Sequence, residues 1–464
     1  MISLGELMAK TVNDDRMPRG CRLIEFPVSS DQRGSLSFAE SMRHIPFKIE
    51  RVFWIYGIPE DKTRGNRSHN EAAEVIIPVA GSFEIYVSDG SREITLTMDS
   101  PERGILIPPG IWCELRGFSK DTVCLVIASH RYDESGYTNS FEQYRSDQMS
   151  VVRYDSDKKD IWNRFVADSK NGTFLMDRDY MDYHSDRFQD CSLMFYKHGN
   201  LTAILPANYC ADSNTVYSHQ GLTYGGLLLS KKISAVETLE VFSCAIDWMQ
   251  TMLGSHRWIY KPVPYIYCSL PSEEDLYAVF RTGGRLSSRL VASVVDSSNR
   301  LPWRKLRVRG INKAVKAGIS IDRVCTDSDW EIFWGILSDV LLERHNNQPV
   351  HSLDEIKLLA GRFPDNISLY VARKDGRIVA GTVIYETAQV AHTQYIASSP
   401  EGRSNGALDM LFDELTGRIY ADKPYFDFGT SNGQDGNYLN EGLIFQKEGF
   451  GARSVVYDSY EIIF

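Results

Sequence analysis

The feature that most constrains the fold is a change of hydrophobic pattern along the chain. Residues 21 to about 130 hold short runs rich in β-branched and aromatic residues, separated by turn signals such as Asp89-Gly90 and Pro108-Pro109-Gly110. From about residue 161, helix-length periodic segments alternate with strands. A chain of 464 residues is also too long for one ordinary core. The pattern therefore predicts a multidomain protein, all-β first and mixed α/β afterwards.

The first part is predicted to consist of β-strands. The clearest runs are Arg51–Tyr56, Val75–Ala80, Phe83–Val87, Glu93–Met98, Gly104–Ile107 and Thr122–Ser129. No helix-length periodic segment interrupts them, so a sandwich or barrel follows. Polar residues from Tyr132 to Asp160 then mark a domain boundary.

The C-terminal third has the clearest mixed pattern. Trp330–His345 has apolar residues at helical spacing, and Ser352 with Glu355 forms a capping box that opens a helix over Leu353–Phe363. The remaining predicted elements are strands at Ser368–Arg373, Arg377–Glu386 and Val390–Ala397, a helix at Gly406–Tyr420 reached through Ser398–Asn405, and strands at Tyr425–Gly429 and Ser454–Ile463. This order is typical of a GNAT fold.

The segment between the all-β part and the C-terminal third has a weaker version of the order of helices and strands found in the C-terminal third. Strands are expected near Ser192–Lys197 and Leu201–Leu205, whereas the basic segment Arg281–Lys316 is interpreted as a solvated connecting helix, with a nucleotide-phosphate contact as the alternative. The predicted domains are 1–145, 146–300 and 301–464.

Composition narrows the function classes. A formal net charge of -10 argues against general binding to nucleic acid or to an anionic membrane, because phosphate backbones need a basic face. No stretch approaches the roughly 18 apolar residues of a membrane span, and no signal peptide is recognised. The eight cysteines include no CxxC pair and are expected to be reduced thiols. We therefore expect a cytoplasmic protein without nucleic-acid or membrane partners.

Three stretches in the first domain carry a family resemblance: Asp31-Gln-Arg-Gly-Ser-Leu36, the run 63–69 (TRGNRSH) leading to 79–85 (VAGSFEI), and the run 107–115 (IPPGIWCEL) with 129–137 (SHRYDESGY). In this order they resemble the cupins that are dTDP-sugar 3,4-ketoisomerases. The resemblance implies a dimeric, metal-free β-barrel that moves a carbonyl between C4 and C3 of dTDP-4-keto-6-deoxyglucose, and hence a homodimer through the cupin domain.

The family reaction needs an acid and a base tuned near neutral pH, for which histidine is the natural choice. The resemblance places the family's His-x-His pair on Arg67-Ser68-His69, so an arginine, which cannot shuttle a proton at neutral pH, replaces one histidine. Arg67 and His69 are the catalytic candidates. The positions that match the family's substrate-binding residues are Arg64, Trp112, Glu114 and Tyr132, whereas Phe53 and Cys113 depart from the family pattern.

A metal-binding cupin is the alternative for this domain. His69, Glu74 and Cys113 fit cupin ligand positions by spacing. Arg67 would place a fixed positive charge beside them, which opposes a cation, so an ion pair between Glu74 and Arg67 is the expected arrangement and no metal is predicted.

Residues from about 150 to 464 resemble tandem GNAT proteins related to Fem-type peptidyl transferases. The motifs are the runs 218–229 (SHQGLTYGGLLL), 344–356 (RHNNQPVHSLDEI), 425–432 (YFDFGTSN) and 439–452 (LNEGLIFQKEGFGA). The resemblance implies an acyl-CoA donor such as acetyl-CoA, gripped at a helix N-terminus. Arg403 and Gly406 match this signature in part and are the predicted cofactor-binding residues.

Acyl transfer to an amine needs a route for the amine's proton and a group that polarises the thioester carbonyl. His392 and Asp427 are the catalytic candidates, and His351 and Asn432 are candidate acceptor-binding residues. Each has a structural alternative. His392 could be a strand histidine hydrogen-bonded to a neighbour, and Asp427 could cap a turn. His351 could be a surface residue, and Asn432 could belong to a loop that shapes the last strand.

Three hypotheses remain. In the first, the GNAT half acylates the amino group of a dTDP-linked amino-deoxy sugar for surface polysaccharide, and the cupin isomerises an earlier keto-sugar. In the second, the cupin is a degenerate dTDP-sugar binding and dimerisation module. In the third, the chain is a non-enzymatic binding scaffold. A Fem-like aminoacyl-tRNA donor stays open beside acyl-CoA.

Overall fold

The computed structural model describes residues 10–12, 17–90, 92–324, 326–345, 347–433 and 436–464. The chain forms two compact units. The first comprises Met1–Ser150 with Lys197–Gly199, and the second comprises Val151–Tyr196 with Asn200–Phe464. The first is β-rich and the second is α/β, which confirms the predicted multidomain fold class. The division of the second part at residue 300 stays a prediction.

The first unit contains thirteen described strands and one helix. They are β1 Lys10–Val12, β2 Arg22–Glu25, β3 Val28–Asp31, β4 Gly34–Ser37, β5 Arg51–Tyr56, β6 Arg64–His69, β7 Glu74–Ala80, β8 Phe83–Ser88, β9 Glu93–Met98, β10 Arg103–Ile107, β11 Trp112–Arg116, β12 Val123–Ala128, β13 Tyr137–Thr138 and α1 Phe141–Asp147. All six strands predicted from the pattern are confirmed to within one residue at each end.

These strands form two main antiparallel sheets, in the orders β1-β2-β10-β7-β12-β5 and β13-β6-β11-β8-β9, beside a β3-β4 hairpin. Among the described residues each sheet ends in strands that pair on one side only, so the unit has two sheets and no closed barrel. This arrangement agrees with the predicted sandwich or barrel. Alternate residues of the strands form the core, which includes Phe83, Ile85 and Val87 of β8.

The second unit contains ten α-helices and seventeen strands among the described residues, besides short 3-10 and π-helical turns. The helices are α2 Lys159–Asp168, α3 Arg178–Met181, α4 Ala235–Leu253, α5 Glu274–Arg281, α6 Lys305–Lys316, α7 Asp327–His345, α8 Leu353–Arg362, α9 Pro400–Asn405, α10 Ala407–Glu414 and α11 Glu441–Glu448. The strands are β14 Ser150–Arg153, β15 Gln189–Asp190, β16 Leu193–Lys197, β17 Asn200–Leu205, β18 Asn208–Cys210, β19 Thr215–Tyr217, β20 Leu228–Leu229, β21 Arg257–Tyr260, β22 Arg285–Asp296, β23 Ser320–Arg323, β24 Ile367–Lys374, β25 Arg377–Glu386, β26 Val390–Ser398, β27 Tyr425–Thr430, β28 Asn432–Gly433, β29 Tyr438–Leu439 and β30 Arg453–Ile463.

An eleven-stranded sheet forms the frame of this unit, in the order β15-β18-β19-β21-β30-β22-β27-β26-β25-β24-β23. Most of its pairs are antiparallel, but β26 and β27 are parallel, with Val390 opposite Tyr425 and His392 opposite Asp427. Their pairing stops there although both strands continue. The two strands therefore separate beyond His392 and Asp427 and leave a gap in the sheet.

One sequence prediction about this unit is wrong. The basic segment Arg281–Lys316 is not one connecting helix, because it contains β22, which pairs with both β30 and β27 in the middle of the sheet, before α6 begins. The segment Ser398–Asn405, for which the sequence predicted no element, contains α9, whose start is capped by Ser399 accepting from the Gly402 amide. In the described part of the chain, no helix has the length and apolar character needed to cross a membrane.

Candidate functional site

The first unit encloses a cavity of about 410 Å³. Its wall is formed by residues of β5, β6, β7, β11 and β12, together with one tyrosine that follows β12 and one in β13. The lining residues are Arg51, Phe53, Ile55, Gly65, Arg67, His69, Glu74, Ile76, Cys113, Leu115, Val126, Tyr132 and Tyr137. Because side chains alternate across a strand, Arg67 and His69 face the same side of β6. The two catalytic candidates of this domain therefore share one cavity.

The carboxylate of Glu74 organises the polar part of this cavity. Its Oε1 lies 3.2 Å from Nε2 of His69 and accepts a hydrogen bond of 3.5 Å from Nη2 of Arg51. The expected Glu74–Arg67 ion pair is thus replaced by pairs with His69 and Arg51. Arg51 also reaches the hydroxyl of Tyr137 at 3.5 Å. Sequence reasoning missed Arg51, although its alternation with Phe53 and Ile55 on β5 signalled an inward side chain.

Arg67 has a different environment. Its Nε donates to the carbonyl of Gly65 at 3.2 Å, and its guanidinium carbon lies 4.8 Å from the centre of the Tyr137 ring. The buried thiol of Cys113 lies opposite Arg67 in the β6–β11 register. Burial, and next the charge of Glu74, raise the pKa of Cys113 well above its usual range, so the thiol is protonated and a poor metal ligand. The described residues contain no group of three or more potential metal ligands.

The predicted substrate-binding residues of this domain are not brought together. Tyr132 lines the cavity. Trp112 is buried outside it against Phe141, with 5.0 Å between the ring centres. Arg64 on β6 and Glu114 on β11 alternate with the residues of those strands that line the cavity, and neither of them lines it. A role for Arg64, Trp112 and Glu114 in ligand binding stays a prediction.

The second unit has a larger cavity, of about 530 Å³, at the gap between β26 and β27. Residues from both strands line it, among them the run 392–398 and the run 428–430. Apolar side chains of α7 and α10 and residues of α11 complete the wall. This position follows from the parallel pairing of β26 and β27, which ends at His392 and Asp427.

His392 and Asp427 lie where the strands part. Nδ1 of His392 is 2.8 Å from Oδ2 of Asp427, whose side chain is fully buried. Asp427 also accepts hydrogen bonds from the Tyr457 hydroxyl at 2.6 Å and from the Gly429 amide at 2.7 Å. Although burial alone raises the pKa of Asp427, the His392 ring and the two other donors hold it below its usual value. The ionised carboxylate is an acceptor for an Nδ1 proton of His392, and in the neutral imidazole with that tautomer Nε2 is the acceptor nitrogen.

A buried lysine completes this cavity. Nζ of Lys447, on α11, donates to the carbonyls of Gly429 at 2.9 Å and Thr430 at 2.7 Å. Burial lowers the pKa of Lys447 to about 8, so the ammonium form still dominates at neutral pH. An ammonium has three donors, and two are used here. Lys447 is not among the site residues predicted from the sequence, because the register that turns it inward is set by tertiary packing.

Two predicted acceptor-binding residues lie outside the cavity wall. Nδ1 of His351 is 2.6 Å from the hydroxyl of Tyr395, which does line the cavity, and burial lowers the pKa of His351 to about 4. Asn432 accepts a hydrogen bond of 2.6 Å from the Val291 amide through Oδ1. His351 thus contacts the cavity through Tyr395, whereas Asn432 joins the loop after β27 to β22.

The two predicted cofactor-binding residues differ in placement. Arg403 lines the cavity, and its Nη1 donates to the carbonyl of Ser398 at 2.7 Å. Gly406 does not line it. Its φ is +71°, and a Cβ there would lie 2.3 Å from the carbonyl oxygen of Gly310 on α6. The need for glycine at position 406 is thus explained by the approach of α6 and α10, without a ligand.

Comparisons with known proteins agree with this division of the chain. The family described as FdtA: WxcM-like, C-terminal matches residues 19–149, and the acetyltransferase (GNAT) domain family matches residues 304–438. TDP-4-oxo-6-deoxy-alpha-D-glucose-3,4-oxoisomerase of Aneurinibacillus thermoaerophilus is 34% identical over 124 residues, which are 27% of this chain and 89% of the relative.

Two solved structures are also similar. QdtA, a sugar 3,4-ketoisomerase from Thermoanaerobacterium thermosaccharolyticum in complex with TDP, is 34% identical, and the match covers 28% of this chain and 94% of that one with a TM-score of 0.27. FemX is 10% identical, and that match covers 68% of this chain and 97% of FemX with a TM-score of 0.49.

The fold and these family matches therefore define a two-part chain, a cupin-like unit followed by an α/β unit that contains a GNAT acetyltransferase-like domain. Through its N-terminal unit the chain belongs to the FdtA family, homologous to dTDP-sugar 3,4-ketoisomerases.

Proposed function

We propose that this chain is a sugar-nucleotide modifying enzyme of surface-polysaccharide biosynthesis. Its C-terminal domain transfers an acyl group from acyl-CoA to the amino group of a dTDP-linked amino-deoxy sugar. The observation that carries the proposal is the His392–Asp427 pair at the gap between β26 and β27, where it faces the cavity of about 530 Å³.

The reaction uses the free nitrogen of His392. The substrate amine attacks the thioester carbonyl carbon, a C–N bond forms, and the carbonyl π electrons move to oxygen. Nε2 of His392 takes the proton that the amine nitrogen loses, because Asp427 holds the proton on Nδ1. The carbonyl then re-forms from the oxyanion as the C–S bond breaks, and the thiolate of CoA leaves and takes the proton from Nε2 of His392. Asp427 is a positioning residue in this scheme.

Lys447 is the group best placed to stabilise the oxyanion. Its ammonium is fixed by two backbone carbonyls and has one donor left for a ligand in the cavity that it lines. A fixed cation in a site that excludes water stabilises developing negative charge without reorganising.

The donor is proposed to lie along the gap in the sheet. Apolar wall residues such as Leu341, Leu408 and Phe412 suit the pantetheine chain, and Arg403 offers a cation for the phosphates. An aminoacyl-tRNA donor is the alternative, and it remains open because the charge of the described cavity wall suits either phosphate-bearing donor.

For the N-terminal unit we propose binding of a dTDP-linked sugar in the cavity that holds His69, with self-association of this unit into a homodimer. Arg67 supports the degenerate-module hypothesis, because a guanidinium does not exchange protons at neutral pH. A scaffold without any activity is disfavoured by the His392–Asp427 geometry.

The test is acyl transfer by the full-length chain. Acetyl-CoA and a dTDP-linked amino-deoxy hexose should give the N-acetyl product by mass spectrometry, and dTDP-glucose, which has no amine, should give none. If acetyl-CoA gives no product while an aminoacyl-tRNA does, the donor assignment is wrong. If neither donor gives product with any amino sugar tested, the acyltransferase proposal is wrong.

A further inference from the structure

The N-terminal cavity contains more positive than negative charge. Its wall has two guanidinium groups, Arg51 and Arg67, against one carboxylate, Glu74. Arg51 and His69 both contact that carboxylate. Two guanidinium groups against one carboxylate leave a formal charge of +1 before His69 is counted, and the guanidinium without a carboxylate partner is that of Arg67.

The hydrogen bonding of Arg67 shows the same imbalance. Its Nε donates to Gly65, and the face of its guanidinium lies over Tyr137. Among the described residues, its two Nη groups make no hydrogen bond or ion pair. Four N–H donors on the planar end of the side chain are therefore available to a ligand.

The surroundings make an anionic ligand the best match for these donors. The remaining wall is largely apolar and includes Phe53, Ile55, Ile76 and Val126. A guanidinium next to such a wall loses part of its hydration and needs a compensating partner of opposite charge. The guanidinium of arginine binds a carboxylate through two parallel N–H···O bonds. A hydroxyl in place of the carboxylate, or a lysine ammonium in place of the guanidinium, cannot reproduce this geometry.

We propose that the N-terminal cavity binds a nucleotide-linked sugar that bears a carboxylate, and that Arg67 selects it by pairing with that carboxylate. The proposal rests on the proposed binding of a dTDP-linked sugar by this unit and specifies its chemical class. The single positive charge of Arg67 is balanced by one sugar carboxylate in the cavity. The diphosphate of the same ligand carries two negative charges, and placing it against Arg67 instead would leave the cavity with an excess of negative charge.

The test compares two ligands that differ only at C6. dTDP-glucose has a hydroxymethyl group there and dTDP-glucuronate has a carboxylate. By calorimetry on the full-length chain, we expect dTDP-glucuronate to bind about 10-fold or more tightly than dTDP-glucose, as a charge-assisted bidentate pair implies. Arg67→Gln should abolish this preference and Arg67→Lys should retain part of it. Arg116→Gln, an exposed arginine of β11 paired with Glu84, is the matched control and should keep the preference.

Two results would overturn the inference alone. Equal affinities for the two sugars would show that the cavity does not read a carboxylate. Equal weakening of dTDP, dTDP-glucose and dTDP-glucuronate by Arg67→Gln would show that Arg67 holds the diphosphate instead. If none of the three ligands binds the unmodified protein, the proposed nucleotide ligand of this unit is itself wrong and the inference falls with it.

Discussion

At the scale of single residues, position 67 separates this chain's cavity from the two-histidine site that the family resemblance implies. His69 keeps a carboxylate partner, since Nε2 lies 3.2 Å from Glu74. Arg67 stands on the same face of β6 but cannot exchange a proton at neutral pH. One of the two proton-transfer groups is therefore missing while the cavity itself is intact.

This difference gives a prediction for isomerase chemistry. In deuterated water with dTDP-4-keto-6-deoxyglucose, the unmodified protein should move the ketone slowly or not at all, because loss of a general acid–base group costs roughly 100- to 10,000-fold in rate. Arg67→His should increase 3-keto product, measured by NMR together with deuterium at C3. Rapid conversion by the unmodified protein would mean that another residue replaces the missing histidine.

A second residue-scale prediction concerns His351. Its folded-state pKa of about 4 lies below the ordinary value of 6.5, so the unfolded chain binds more protons between these values. Its contribution to the free energy of unfolding is thus fully present above about pH 6.5 and is lost as the pH falls to about 4. The melting temperature of the unmodified protein minus that of His351→Gln should shrink over this window.

The control for this experiment is His256→Gln, which removes an exposed histidine of the same unit. The difference in melting temperature between the unmodified protein and His256→Gln should change less with pH than the difference for His351→Gln. A constant difference for His351→Gln from pH 6.5 to pH 4 would contradict the burial of a neutral imidazole beside Tyr395.

At the scale of elements, the contact between α6 and α10 depends on Gly406. A side chain there would meet the backbone of Gly310 and would also require an unfavourable positive φ. Gly406→Ala should destabilise the second unit by about 2 kcal/mol or more. Gly417→Ala is the matched control, because it is exposed and a Cβ there meets nothing within 4 Å.

The measurement is the thermal unfolding of the second unit within the full-length chain. Gly406→Ala should lower the melting temperature by several degrees and Gly417→Ala should not. Equal melting temperatures for Gly406→Ala and the unmodified protein would contradict the close approach of α6 and α10. Because the fold itself needs Gly406, reduced donor binding in a Gly406 variant would not identify a phosphate site, and Arg403→Gln is the better test of donor binding.

The elements also show what sequence patterns can and cannot predict. The capping box of Ser352 and Glu355 fixes the start of α8 from local contacts alone, and it is present as predicted. The strand β22 was missed because its place between β30 and β27 depends on partners far away in sequence. The pairing of His392 with Asp427 likewise depends on the contact of two strands that a local sequence pattern does not reveal. Sequence identified both residues as candidates, but only the parallel register brings them together.

At the scale of the whole molecule, the net charge is -10, yet both cavities have cations in their walls. Arg51 and Arg67 of the first unit are half-buried, whereas in the second unit Lys447 is buried and Arg403 is exposed. Positive charge is therefore concentrated where we propose that phosphate- or carboxylate-bearing ligands bind. This arrangement suits small anionic substrates better than an extended polyanion, which needs a continuous basic face.

The most direct test of the account is the acyl-transfer rate of His392→Gln in the full-length chain, measured with acetyl-CoA and a dTDP-linked amino-deoxy hexose. The account predicts a fall in kcat of roughly 100- to 10,000-fold, as for removal of a general base. The dissociation constant for CoA should stay within about threefold, because the proposed donor contacts do not include Nε2, and His256→Gln should keep full activity. A His392→Gln variant that retains the kcat of the unmodified protein would contradict the central claim that this histidine, held by Asp427, accepts the proton of the amine.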